Sequence, residues 1–167
     1  ALLEQGHTPH VVTREPGKVK DMYGEGAVGV QGDMADKESL IKATEGVDAV
    51  SLMVPAFIPD PSQAPAYAHN AIDAAKAAGV SHIVYNTSGT VINQETGNPM
   101  YDMRLNLIND LEASGVPYIT IEPTAYAENL FGPWTRSSII ERDTLTYPVD
   151  PATGLGWIAT ADVGKLI

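Results

Sequence analysis

Tyr101 and Arg104 stand three residues apart in a segment of helical pattern, a spacing that puts both side chains on one helix face. A tyrosine can act in general acid–base chemistry when it is positioned and its pKa is adjusted. The arginine beside it stays charged and relays no proton. Further along, Tyr126, Asn129, Phe131 and Trp134 gather aromatic rings around one amide. Such a group fits an apolar, planar substrate, and it fits the core of a small hydrophobic subdomain equally well. The histidines His7, His10, His69 and His82 form no H-x-x-x-H or similar spacing, so no metal site is expected. No G-x-S-x-G occurs, which excludes an esterase nucleophile elbow.

Such residues need a scaffold, and the length of 167 residues suffices for one domain with its own core. Hydrophobic residues make up 44%, ordinary for a globular chain. The net charge of −11 repels a phosphate backbone, so nucleic acid is not expected as a direct partner. A single phosphate held by a few local donors remains compatible with it. Cysteine is absent, which excludes disulfides and thiolate metal sites and makes a cytoplasmic location the expectation. No apolar run approaches the roughly 20 residues that span a bilayer, so no membrane partner is expected.

The elements alternate. HVVTR (10–14), AVGVQ (27–31), VDAVSLMV (47–54), HIVYN (82–86) and YITI (118–121) read as strands. The continuous apolar run at 47–54 predicts a strand covered on both faces. Helices are expected from Asp36, an N-cap, to Gly46, over 64–78 with Gly79 as its stop, and over 100–114 with Gly115 as its end. Residues 55–65 carry four prolines and read as loop, as do 87–99. Two short β-like pieces, 145–147 and 156–159, precede a helix start at Asp162. Strand–helix alternation with short connections is the pattern of an α/β fold, a Rossmann-type doubly wound parallel sheet.

Ala1 to Gln5 reads as the end of a helix with Gly6 after it, and the one G-x-G-x-x-G, Gly24 to Gly29, runs into the AVGVQ strand and does not lead from a strand into a helix. The expectation is therefore a chain cut at both ends, lacking the first strand of the sheet and its glycine-rich loop. In the usual strand order that strand lies at the centre. Residues 1–124 then form a partial nucleotide-binding domain, and 125–167 begin a small substrate-binding region.

The stretches LLEQGHTPHVVTREPGK, GVQGDMADKESLIKATEGVDAV, AAKAAGVSHIVYNTSG, LEASGVPYITIEPTAYAENLFGPW and ADVG, in this order, resemble the atypical short-chain dehydrogenase/reductases of the NmrA-like, NAD(P)H-binding group. The resemblance implies a role for each strand end. Arg14 would face the adenosine ribose, where its fork suits a 2′-phosphate, although it also reads as a solvated strand-end arginine. NADP(H) is thus the preferred cofactor, with NAD(H) open because Glu15 follows directly. Asp33 and Met34 would line the adenine, or form an Asx turn entering the next helix. Met53, Val54, Pro55 and Ala56 would lie along the cofactor. Ser88 would hydrogen-bond a substrate carbonyl, or be a plain loop residue.

In the relatives a tyrosine and a lysine lie four apart. Here the lysine position falls on Arg104 and the tyrosine position on Met100, with Tyr101 displaced by one. The resemblance makes Ser88, Tyr101 and Arg104 the catalytic candidates and gives Arg104 the ribose hydroxyls. Pro123 and Thr124 would meet the nicotinamide, and Tyr126, Asn129, Phe131 and Trp134 would shape the substrate pocket. Two functions follow. One is an NADPH-dependent oxidoreductase acting on a carbonyl or quinone-like small molecule. The other is a non-catalytic NADP(H)-sensing regulator working through a protein partner.

Overall fold

The computed structural model describes residues 1–55, 58–150, 152 and 154–167, apart from the side chain of Trp134. Short β-branched runs set the strands. β1 (His10–Thr13) lies parallel to β2 (Val28–Gln31), with His10 opposite Val28 and Thr13 opposite Gln31. β3 (Ala49–Leu52), β4 (His82–Asn86) and β5 (Tyr118–Ile121) form a second parallel sheet in the order β3-β4-β5. β6 (Ala125–Tyr126) and β7 (Trp157–Ile158) make a third, two-stranded parallel sheet. Among the described residues no ladder joins β1 to β3, so each presents one unpaired edge.

Helices bridge this break. α2 (Lys37–Ala43) packs on α3 (Ala64–Ala78), and α3 packs on α4 (Pro99–Ser114). The Asp36 carboxylate caps α2 by accepting from Ser39 N–H at 3.2 Å. Asn98 caps α4 in the same way, through Met100 N–H at 3.0 Å. Gly79 and Gly115 close α3 and α4 at φ +67° and +74°, a conformation costly for other residues. Side chains stitch the two strand groups together. Asn70 Nδ2 donates to the Met34 carbonyl at 2.9 Å, and Thr44 Oγ1 donates to the Ala74 carbonyl at 3.3 Å.

Alanine lets α3 lie close to the sheet. Ala64, Ala68, Ile72 and Ala75 bury against Leu52, Ile83 and Tyr85 of the sheet and Leu107 and Leu111 of α4. Each large side chain among them contributes on the order of 1.5–3 kcal/mol on burial.

Four expectations are corrected. The 47–54 run is not covered on both faces: Leu52 is buried, while Ala49 and Ser51 on the opposite face are exposed. The α2–α4 layer covers one side of that strand only. Residues 145–147 are not a strand, because their backbone closes the end of α5 (Pro133–Arg142) instead. Thr144 N–H donates to the Ser138 carbonyl, and Thr146 N–H donates to Ser138 Oγ. That helix escaped notice because its TRSSII run mixes polar and β-branched residues of modest helix propensity. A 3₁₀ turn (Pro16–Lys18) and the short α1 (Val19–Tyr23) also stand where Pro16-Gly17 reads only as a break. A last turn, α6 (Thr160–Val163), starts two residues before the expected Asp162. No described helix is long and apolar enough to cross a membrane.

Candidate functional site

Parallel strands deliver their carboxyl ends to one edge of a sheet, where ligands of open α/β folds collect. The densest polar network here lies after β4. Asn86, its last residue, is 8% exposed. Its Oδ1 accepts from Ser88 N–H at 2.9 Å and from the Tyr126 hydroxyl at 3.2 Å. These two bonds fix the amide orientation, and Nδ2 donates to no described residue. Sequence reading passed over Asn86. The available signal was an amide closing an otherwise apolar β run.

Ser88 adopts φ +53°, a left-handed conformation that few non-glycine residues take. Arg104 holds it there. Its Nε donates to the Thr87 carbonyl at 2.9 Å, and its terminal nitrogens donate to the Ser88 carbonyl at 3.2 Å and the Thr90 carbonyl at 3.5 Å. Arg104 is only 7% exposed and forms no ion pair among the described residues. A Cβ on Gly89 would stand 2.7 Å from its guanidinium, so only glycine admits this approach. Tyr101 does share a face with Arg104, its ring centroid 5.7 Å from the guanidinium carbon.

The rest of the loop is fastened equally. Glu122 accepts from Val91 N–H at 3.0 Å. Asp102 accepts from Thr96 N–H and Oγ1, both at 2.8 Å, which holds its carboxyl below the usual carboxylate range. Beneath the loop, burial pushes the Tyr85 hydroxyl up to about 12, against the lowering pull of Arg104.

At the end of β1, Arg14 is exposed and has no partner among the described residues. The neighbouring Glu15 is engaged by Lys18 Nζ at 2.7 Å. After β2, Asp33 accepts from Ala35 N–H at 2.9 Å, an Asx turn leading into α2. Met34 packs against the central core.

A model of the NmrA-like family matches residues 1–167. The chain belongs to that family. Solved structures share its fold. Citrobacter sp. triphenylmethane reductase, complexed with NADP(H), is 23% identical at a TM-score of 0.67, over 79% of this chain and 45% of that one. A Staphylococcus aureus nucleoside-diphosphate-sugar epimerase is 22% identical at 0.73, over 93% and 54%. An NADPH-dependent quinone oxidoreductase from Escherichia coli, complexed with NADPH, is 24% identical at 0.65, over 79% and 44%. The NmrA-like chain thus spans about half the length of these structures. No curated protein matches it.

In this NmrA-like chain the remaining candidates divide. After β3, Val54 is buried in the core, Met53 is 51% exposed and Pro55 is exposed, while Ala56 lies outside the described residues. Pro123 is buried, and Thr124 gives its hydroxyl to the Gly156 carbonyl at 2.6 Å. Tyr126 joins the β4 network. Asn129 instead donates to the Tyr147 hydroxyl at 3.1 Å, and Tyr147 meets Trp157 edge-on at 4.8 Å. Phe131 is 77% exposed and lines a separate groove of about 400 Å³ with Pro133, Arg136 and Ile140. Tyr126, Asn129 and Phe131 therefore make separate contacts among the described residues. The Trp134 side chain lies outside the described residues.

Proposed function

We propose that this chain is the nucleotide-binding part of an NADP(H)-dependent oxidoreductase that reduces a carbonyl or quinone-like small molecule. The observation that carries the reading is Arg14. It is a guanidinium at a strand end with no partner among the described residues, and the neighbouring Glu15 carboxylate is already engaged by Lys18. Such a fork suits a 2′-phosphate, whereas a free carboxylate would suit the 2′-hydroxyl of NAD. NAD(H) stays a weaker ligand in this reading.

The residues present fit two regions of the cofactor. Arg14 would take the 2′-phosphate, with Asp33 and Met34 beside the adenine. The exposed Met53 and Pro55 would flank the ligand from β3, and Pro123 and Thr124 would close its far end. The one G-x-G-x-x-G, Gly24 to Gly29, leads from α1 into β2 and not from a strand into a helix, so no residue is assigned to the pyrophosphate. When bound, the cofactor supplies a hydride. The protein's part is to place a substrate oxygen against Ser88, with Tyr101 as candidate proton donor and Tyr126 shaping the pocket.

Residues 1–124 serve the nucleotide in this proposal, and 125–167 the substrate side. Support comes from the β6–β7 sheet, which is separate from the strands of 1–124. The cytoplasmic location expected from a cysteine-free sequence goes with it.

Replacing Arg14 by alanine tests the reading. The expected outcome is that preference for NADPH over NADH in binding disappears, and an unchanged ratio refutes it. One observation favours the second reading, a regulator that senses NADP(H) and acts on a protein partner. Arg104 gives three N–H groups to carbonyls of its own loop, which supports a departure from the tyrosine–lysine arrangement of the relatives. NADPH oxidation with a quinone panel separates the two readings, since a regulator gives no turnover.

A further inference from the structure

Arg104 draws the carbonyls of Thr87, Ser88 and Thr90 toward one guanidinium. In a planar trans peptide the N–H points opposite the C=O. The amides of Ser88, Gly89 and Val91 therefore point away from Arg104. Ser88 N–H meets Asn86 Oδ1, and Val91 N–H meets Glu122 Oε2. Gly89 N–H meets no acceptor among the described residues. Ser88 Oγ and Asn86 Nδ2 also donate to none. A buried cation behind the carbonyl ends adds to the peptide dipoles, so the amide side of the loop carries the positive end.

We infer that Arg104 is a positioning residue, touching no ligand itself. It turns the 86–89 segment into a donor cradle for an oxygen that gains negative charge, with Gly89 N–H as the principal donor. This rests on the oxidoreductase reading for its natural ligand, the carbonyl or quinone oxygen that becomes anionic as hydride arrives. The chemistry of the cradle does not depend on the cofactor. In this inference Arg104 serves the loop in place of the ribose hydroxyls expected of it, since three of its N–H groups already donate to loop carbonyls.

The test uses substituted phenolates as oxyanion probes, with ¹⁵N-labelled protein. The Gly89 amide resonance should move downfield as phenolate binds, and Arg104→Met should abolish that movement. Phenolate affinity should fall roughly tenfold or more, as expected for loss of a hydrogen bond to a charged group. Added ethylguanidinium should restore part of the response in Arg104→Ala. If the Arg104 variants do not fold, Gly89→Ala serves, because its Cβ displaces the fork while leaving the charge in place; it should lower phenolate affinity likewise.

An unmoved Gly89 amide in the unaltered protein, or full phenolate affinity in Arg104→Met, overturns the inference. NADPH affinity is measured on the same samples. A protein that shows the Gly89 response without binding NADPH keeps the cradle and loses the oxidoreductase reading. One that binds NADPH without the response loses only the cradle.

Discussion

Gly29, in the middle of β2, ties the stability of the fold to the position of Arg14. A Cβ at this glycine would lie 2.2 Å from the Pro16 carbonyl oxygen and 2.9 Å from the Pro16 carbonyl carbon and Cα. Ordinary van der Waals contact needs roughly 3.5 Å, so Gly29→Ala must push the 3₁₀ turn away by about 1 Å. The obstacle is backbone, fixed by a proline, and no side-chain rotation relieves it. Without a clash, glycine to alanine stabilises by about 0.4–1 kcal/mol through the unfolded chain. Overpacking of this kind costs about 1–3 kcal/mol and reverses that sign. A net loss of about 1.3 kcal/mol, at a urea slope of about 2 kcal/mol/M, lowers the unfolding midpoint by about 0.6 M. Urea unfolding followed by tryptophan fluorescence measures it. Because Arg14 lies two residues before Pro16, NADPH preference should weaken in the same variant. A midpoint that is unchanged or raised refutes the packing argument.

Other outcomes follow from single contacts. The Tyr85 hydroxyl, raised to about 12 by burial, keeps its proton longer in the folded than in the unfolded chain. Its contribution to stability is therefore complete below the ordinary tyrosine range near pH 10 and is lost as pH rises through about 12. Alkaline unfolding monitored with tyrosinate absorbance should show this loss, and Tyr85→Phe should remove that component. Asp36→Ala deletes the cap of α2 and should cost about 1 kcal/mol, read as a lower melting temperature; an unchanged one would deny the cap its role. Asn86→Leu removes the acceptor of Ser88 N–H, so hydrogen exchange at Ser88 should accelerate while that of α3 stays fixed.

Much of the scaffold was legible because it depends on local chemistry. Asp36, Gly79 and Gly115 each specify a helix end through one cap, and the VGVQ and HIVYN runs specify strands through their own side chains. What was not legible depends on contacts distant in sequence. Whether Leu145-Thr146-Tyr147 joins a ladder or closes a helix depends on Ser138, whose hydroxyl and carbonyl take its amides. Coverage of β3 depends on which faces the helices reach, which its apolar composition does not state. At the site, the 101–104 spacing correctly put tyrosine and arginine together. It gave no hint that the guanidinium points at loop carbonyls 14 to 17 residues earlier. Phe131 and Tyr126 are near in sequence, yet Tyr126 reaches Asn86 while Phe131, at the end of the 3₁₀ segment Ala127–Phe131, lines the separate groove.

The central claim is that the ends of β1 and β2 receive a 2′-phosphorylated adenosine. Titration of ¹⁵N-labelled protein with 2′,5′-ADP and, separately, with 5′-AMP tests it most directly. The expected result is a set of shifts centred on Arg14, Asp33 and Met34 that is large with 2′,5′-ADP and weak with 5′-AMP. Equal shifts from both nucleotides, or shifts centred on the groove that Pro65, His69, Met103 and Asn106 line between α3 and α4, contradict the claim.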